Sequence, residues 1–197
     1  MKDGTNGTDG TDKTTGEMPY LPGDPSPAEQ IEAMIRVDHA GEFGAARIYD
    51  GQLAVLADRK SGPVIRRMAE QERRHLDAFD ELMVARRVRP TVLSPVWHAA
   101  GFALGAATAL MGERAAMACT AAVEEVIDEH YAAQSDALDG DADEAELKDM
   151  IDEFRADEIE HRDTAYEHGA AEAPGYEVLS AGIKAASRLA IWLSTRI

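Results

Sequence analysis

Glu72-Arg-Arg-His75 and Glu158-Ile-Glu-His161 are two copies of one short word, Glu-x-x-His. Three residues is close to one helical turn, so on a helix each carboxylate stacks over its imidazole and the pair becomes a two-ligand claw. Two further stretches set a glutamate in small or apolar company: Glu42 in Asp38-His-Ala-Gly-Glu-Phe-Gly-Ala-Ala46, and Glu124 in Ala118-Cys-Thr-Ala-Ala-Val-Glu124. The order along the chain is Glu, Glu-x-x-His, Glu, Glu-x-x-His, one element per helix-length segment.

That order is the ligand set of a carboxylate-bridged di-iron or di-manganese four-helix bundle, so the chain is expected to be all-α. Charge supports the reading. Four carboxylates, two neutral imidazoles and two divalent metals sum to zero, whereas the glutamates buried without metal would be desolvated like charges. Oxygen and imidazole ligands suit iron or manganese, and a lone cysteine cannot build a thiolate site. One Glu-x-x-His among 37 acidic residues would usually be a solvated helix face. Two copies alternating with two glutamates in apolar surroundings make the metal site the better reading.

With 197 residues, one domain with a real core is expected. A hydrophobic content of 45% is ordinary for a globular protein, and a net charge of −17 argues against a nucleic-acid partner. No stretch reaches the roughly 20 apolar residues of a transmembrane helix. Cys119, the single cysteine, lies among Ala116, Ala118, Thr120 and Ala121 and reads as a small core residue in a reducing compartment. Residues 1–27, rich in Gly, Thr, Asp and Pro, read as a disordered tail without a secretory or mitochondrial signal, which leaves 28–197 as the domain.

The first helix is expected from Ser26-Pro27, a cap followed by proline, with Asp38, Glu42, Ala45, Tyr49, Leu53 and Leu56 facing inward. Gly41 and Gly44 suggest close approach by another helix or a ligand, and His39 reads as a residue at the site's edge or on the surface. After Ser61-Gly-Pro63 a second helix runs from Val64 to about Val88, with Ile65, Met68, Leu76, Phe79 and Met83 on the stripe of Glu72 and His75. The uncharged stretch from Ala99 to Met111 reads as a helix, either buried or lying in a membrane surface, with Trp97 and Arg86, Arg87 and Arg89 nearby. His98 reads as a cap or interface residue.

The Glu124 helix runs to about Leu138, with His130 and Tyr131 near the ligand but not on the metal, and with Glu125 and Glu129 solvated. Ala142 to about His168 carries Glu158 and His161, and Asp157 is placed to accept from the outer nitrogen of a ligand imidazole. After Pro174-Gly175 an amphipathic helix carries Lys184, Arg188, Trp192 and Arg196. It reads equally as a membrane-surface helix or as a core-packing or oligomer helix.

Arg36-Val-Asp-His-Ala-Gly-Glu-Phe-Gly-Ala-Ala-Arg-Ile-Tyr49, Gly101-Phe-Ala-Leu-Gly-Ala-Ala-Thr-Ala-Leu-Met-Gly112, Ala118-Cys-Thr-Ala-Ala-Val-Glu-Glu125 and Ala190-Ile-Trp-Leu-Ser194 resemble the demethoxyubiquinone hydroxylases of ubiquinone biosynthesis. The likeness runs from about Ile31 to the C-terminus. It implies a ferritin-like four-helix bundle with additional apolar or amphipathic helices. It implies one iron held by Glu42, Glu72, His75 and Glu158 and a second by Glu72, Glu124, Glu158 and His161, with Glu72 and Glu158 bridging. It further implies O2 as co-substrate, a polyprenylated demethoxyquinol as substrate, and peripheral attachment to the cytoplasmic face of the cell membrane. The alternatives for the electron donor are NADH, a reductase or the quinol itself. Those for assembly are a homo-oligomer or a partner protein of ubiquinone biosynthesis. His130 and Tyr131 are candidates for electron or proton delivery. A ferritin-like iron-oxidising or storage protein would use much the same ligands, and a helical interaction module would leave the glutamates solvated.

Overall fold

The computed structural model describes residues 23–197. The sequence expectation for 1–22 lies outside them. Six α-helices carry the described residues, with no β-strand among them: α1 Pro27–Leu56, α2 Gly62–Arg86, α3 Ser94–Leu110, α4 Glu113–Ala137, α5 Ala145–Glu167 and α6 Tyr176–Ser194. Helix α1 starts where expected. The Ser26 hydroxyl accepts from the Glu29 backbone N–H while the Glu29 carboxylate accepts from the Ser26 N–H, a reciprocal capping box with Pro27 behind it. Helix α2 stops two residues earlier than the apolar pattern suggests, because Arg87 turns into the left-handed region and its N–H closes on Met83 and Val84. A short 3-10 turn, Ala142–Glu144, precedes α5, which therefore begins three residues late.

The helices stack in three layers. Helices α2 and α5 touch each other, α2 packs on α1 and α5 on α4, and neither touches α3 or α6. Helices α1 and α4 form the middle, and α3 and α6 pack on their far side. The four ligand-bearing helices are thus a bundle, and α3 and α6 are the additional pair. Tyr49 bonds Glu124, Tyr131 bonds Glu42, and Gln52 bonds Thr120, so α1 and α4 run antiparallel in fixed register. The Lys184–Glu125 and Arg188–Glu129 ion pairs set α6 parallel to α4.

Helix α3 lies on α1 nearly backbone to backbone. A Cβ on Gly105 would collide with the Ile48 carbonyl, and one on Gly101 would come within 2.8 Å of the Gly44 oxygen. The small residues that permit close approach are therefore on α3. At Gly41 and Gly44 an added Cβ would itself meet nothing within 4 Å, although α3 closes on the Gly44 backbone and both glycines line a groove between the helices. Helix α3 is not a buried helix either: only Gly105, Thr108 and Ala109 are buried, while Val96, Phe102, Leu110 and Met111 are exposed.

The basic residues of α6 are also differently placed. Lys184 and Arg188 are consumed by Glu125 and Glu129 on α4, so these two glutamates are ion-paired, and Glu125 also accepts from the Tyr166 hydroxyl. The face α6 leaves uncovered is apolar, with Val178, Leu189 and Trp192 exposed. Gly105→Ala is expected to lower stability by about 1–3 kcal/mol through overpacking. Gly41→Ala, with open space and a helical backbone, should hold or raise the urea midpoint measured by circular dichroism.

Candidate metal centre

The ligand candidates converge from both sides of the bundle. Glu42 on α1, Glu72 and His75 on α2, Glu124 on α4, and Glu158 and His161 on α5 are all buried. Their ligand atoms fall into two groups, Glu42, Glu72, His75, Glu158 and Glu72, Glu124, Glu158, His161, with the atoms of each group within 4.8 Å of one another. Glu72 and Glu158 belong to both groups, as bridging residues must. Each imidazole turns Nδ1 inward: that of His75 lies 3.1 Å from Glu158 and 3.5 Å from Glu42, and that of His161 lies 3.0 Å from Glu72.

Polar atoms without hydrogen bonds test the fit. Buried Glu42 Oε2, Glu72 Oε2 and Glu124 Oε2 have no hydrogen-bond partner among the described residues, while Glu72 Oε1 and Glu158 Oε1 meet only the inward Nδ1 atoms of His161 and His75. Leaving such groups unpaired costs about 1–3 kcal/mol each, more for charged groups. A pair of dications would satisfy the whole set at once, so the residues fit a two-metal centre.

Two tyrosines hold the outer carboxylates. Tyr49 on α1 donates its hydroxyl to Glu124 Oε1 at 2.8 Å, and Tyr131 on α4 donates to Glu42 Oε1. Each glutamate thus gives one oxygen to a phenol and keeps the other for the centre. Behind them Gln134 donates to Asp38 at 2.8 Å, and Gln52 donates to Thr120 at 3.3 Å. The outer Nε2 of His75 meets Asp157 at 3.0 Å, as the sequence suggested.

Of the two residues expected near the ligands, Tyr131 reaches Glu42 directly and His130 does not. His130 Nε2 lies 3.0 Å from Asp38 and touches none of the ligand candidates, so it stands one residue further from the centre. His39 is buried and joins α1 to Asp80 of α2 at 3.0 Å, and His98 lies against the Phe43 ring and caps no helix. Tyr49, Gln52, Gln134 and Asp38 were missed as site residues. A signal for most of them exists: Glu42, Tyr49, Gln52 and Glu124, Tyr131, Gln134 follow the same spacing.

Electrostatics explains why this cluster seeks metal. Burial pushes the Glu72 and Glu124 carboxyls well above the usual carboxylate range, and the nearby Glu158 charge adds to it. Burial raises Glu42 likewise. Burial works against the cationic form of His75, but the Glu158 and Glu42 carboxylates overcome it and raise the imidazole to about 11. Burial also works against ionised Glu158, yet His161 and His75 hold it down to about 2. With protons alone to balance it, the cluster holds several. Burial pushes the Cys119 thiol up to about 12, in keeping with an inert core residue.

Residues 29–194 match the family described as ubiquinone biosynthesis protein COQ7. The chain belongs to this family. Among its relatives, the 3-demethoxyubiquinol 3-hydroxylase of Rhodospirillum rubrum is 60% identical over 178 residues, covering 90% of this chain and 83% of that protein. Two proteins named NADPH-dependent 3-demethoxyubiquinone 3-hydroxylase, mitochondrial, are also similar. The one from Dictyostelium discoideum is 56% identical over 168 residues, covering 85% of this chain and 77% of its own length. The human one is 53% identical over 169 residues, covering 85% and 78%.

Because metals must displace the protons on the raised carboxyls and on His75, metal uptake is expected to release protons, and affinity should fall as pH drops. Calorimetry in buffers of different ionisation enthalpy reads this directly. Glu124→Ala, which removes a ligand candidate from one group only, should cut the metal content from about two ions per chain to about one or fewer.

Proposed function

We propose that this chain is a di-iron monooxygenase that hydroxylates the ring of a polyprenylated demethoxyquinol with O2 in ubiquinone biosynthesis. The observation that carries the reading is the pairing of the buried Glu/His cluster with an apolar groove on the other face of α1 and α4, the two helices that carry Glu42 and Glu124. The groove, about 170 Å³, opens between α1, α3, α4 and α6 and is lined by Gly41, Ala45, Leu104, Val123, Ile127 and Ala190 among others. Ala45 on α1 and Ile127 on α4 lie between the Tyr131–Glu42 and Tyr49–Glu124 rungs, and Val123 directly precedes Glu124, so the groove runs at the level of the cluster. A ring seated there would pack on α1 and α4 at the level of the centre, out of water, with its tail along the helices.

In this reading Glu42, Glu72, His75 and Glu158 hold one iron, and Glu72, Glu124, Glu158 and His161 the other. Two irons so held would supply two electrons to O2, placing one oxygen atom on the ring and releasing the other as water. The protein's own part is to fix the ligands and keep the site dry. Tyr49 and Tyr131 lock the outer glutamates, Asp157 fixes the tautomer and orientation of His75, and the apolar groove excludes water. Tyr131, beside the His130–Asp38 pair, is the candidate route for protons or electrons. A reduced nicotinamide nucleotide is the proposed electron source. The names of the Dictyostelium and human relatives specify NADPH.

The groove opens on the α3–α6 face, where Val96, Phe102, Leu189 and Trp192 are exposed. No helix among the described residues is long and apolar enough to cross a membrane. Peripheral docking of this face on the cytoplasmic side of the cell membrane would deliver a lipid-soluble quinol into the groove. Replacing Leu189 and Trp192 together by Glu should reduce co-flotation with phospholipid vesicles while leaving metal content unchanged.

An iron-oxidising or storage protein would use the same cluster, but it has no need of an apolar groove over it. The decisive experiment gives anaerobic, Fe(II)-loaded protein a demethoxyquinol in detergent, then O2 with NADPH, and weighs the quinone by mass spectrometry. A product heavier by one oxygen atom, absent from Glu124→Ala, is the expected result. Iron oxidation with unchanged quinone would transfer the assignment to the iron-oxidising reading.

A further inference from the structure

The bundle has an internal two-fold pattern that exchanges α1 with α4 and α2 with α5. Tyr49 bonds Glu124 as Tyr131 bonds Glu42, and Gln52 bonds Thr120 as Gln134 bonds Asp38. Thr120 and Asp38 each stand four residues before the glutamate of their own helix. The same exchange carries Glu72 to Glu158 and His75 to His161. Behind the second imidazole the pattern is incomplete. Asp157, immediately before Glu158 on α5, takes the outer nitrogen of His75 on α2 at 3.0 Å. Its counterpart, immediately before Glu72 on α2, is Gln71, while the outer Nε2 of His161 on α5 is buried with no partner among the described residues.

We propose that Gln71 is the positioning residue for His161, its carboxamide oxygen accepting the Nε2–H, and that the metal held by His161 is in consequence the more weakly bound of the two. Gln71 is half-buried, as Asp157 is, and its side chain makes no hydrogen bond among the described residues, so it is free to turn toward α5. A ligand imidazole whose Nδ1 faces metal must carry its proton on Nε2, and a buried N–H without an acceptor is costly. A carboxamide meets that need but carries no charge. It therefore makes the imidazole less basic than a carboxylate partner does, and partners of this kind change metal affinity by about 10–100-fold. The partners of the two ligand imidazoles thus differ by one charge.

The proposal rests on the two-metal reading, and its test separates the two. Anaerobic titration of the protein with Co(II), followed by absorption and by the exchangeable hyperfine-shifted imidazole protons in NMR, should show two unequal steps. Gln71→Leu should weaken the second step by about tenfold or more and speed solvent exchange of one imidazole N–H. Gln71→Glu, which restores an acceptor and adds charge, should keep that proton protected and strengthen the second step. Asp157→Asn should weaken the first step toward the second. Two bound metals with unchanged isotherms and N–H exchange in both Gln71 variants would overturn the role of Gln71. Failure of the unaltered protein to bind two metals would sink the two-metal reading and this inference with it.

Discussion

Four glutamates buried against one another are the constraint on which the rest of this structure depends. Desolvated like charges repel, and no arrangement of helices hides them cheaply unless positive charge is brought in. Helices α1, α2, α4 and α5 each contribute at least one of these carboxylates, so the bundle cannot pack without bringing them together. The phenols of Tyr49 and Tyr131 and the imidazoles of His75 and His161 satisfy part of this demand. The remaining buried oxygens point to cations as the other part. Fold and centre are therefore one problem with one solution, and the apolar cores to either side of the cluster can close only once it is solved.

The three layers divide the labour. The outer pair α2 and α5 carries the Glu-x-x-His words, the middle pair α1 and α4 carries the lone glutamates, and the α3–α6 pair carries no ligand candidate. Helix α3 can lie so close to α1 because Gly101 and Gly105 present bare backbone, which brings its apolar surface within a helix width of the centre. Binding surface and reactive site are thus back to back across the thickness of α1 and α4. Pairing Lys184 and Arg188 with acids of α4 leaves that outer surface apolar.

The ligand candidates were legible in the sequence because their information is local. A carboxylate and an imidazole three residues apart share a helix face whatever the tertiary context. The start of α1 was legible for the same reason, since a capping box is written within four residues. What the sequence concealed depends on register between distant segments. Tyr49 and Glu124 are 75 residues apart, and nothing near either one announces the other. Lys184 and Arg188 read as free cations until α6 is seen to run beside Glu125 and Glu129. Gly41 and Gly44 looked like contact residues because glycine in a helix demands a reason, yet the partner glycines on α3 supply the clearance and Gly41 borders the groove. The repeated Glu, Tyr, Gln spacing was present in the sequence, but its meaning appears only when the two helices lie antiparallel.

The same repeat pairs α1 and α2 with α4 and α5, so the chain falls into two halves, α1 to α3 and α4 to α6, joined at Gly112. Each group of ligand candidates draws on both: Glu42, Glu72 and His75 need Glu158 from the second half, and Glu124, Glu158 and His161 need Glu72 from the first. Neither half can close a centre by itself. Metal bound here would act as a clasp between two half-molecules, each ion tying the first half to the second.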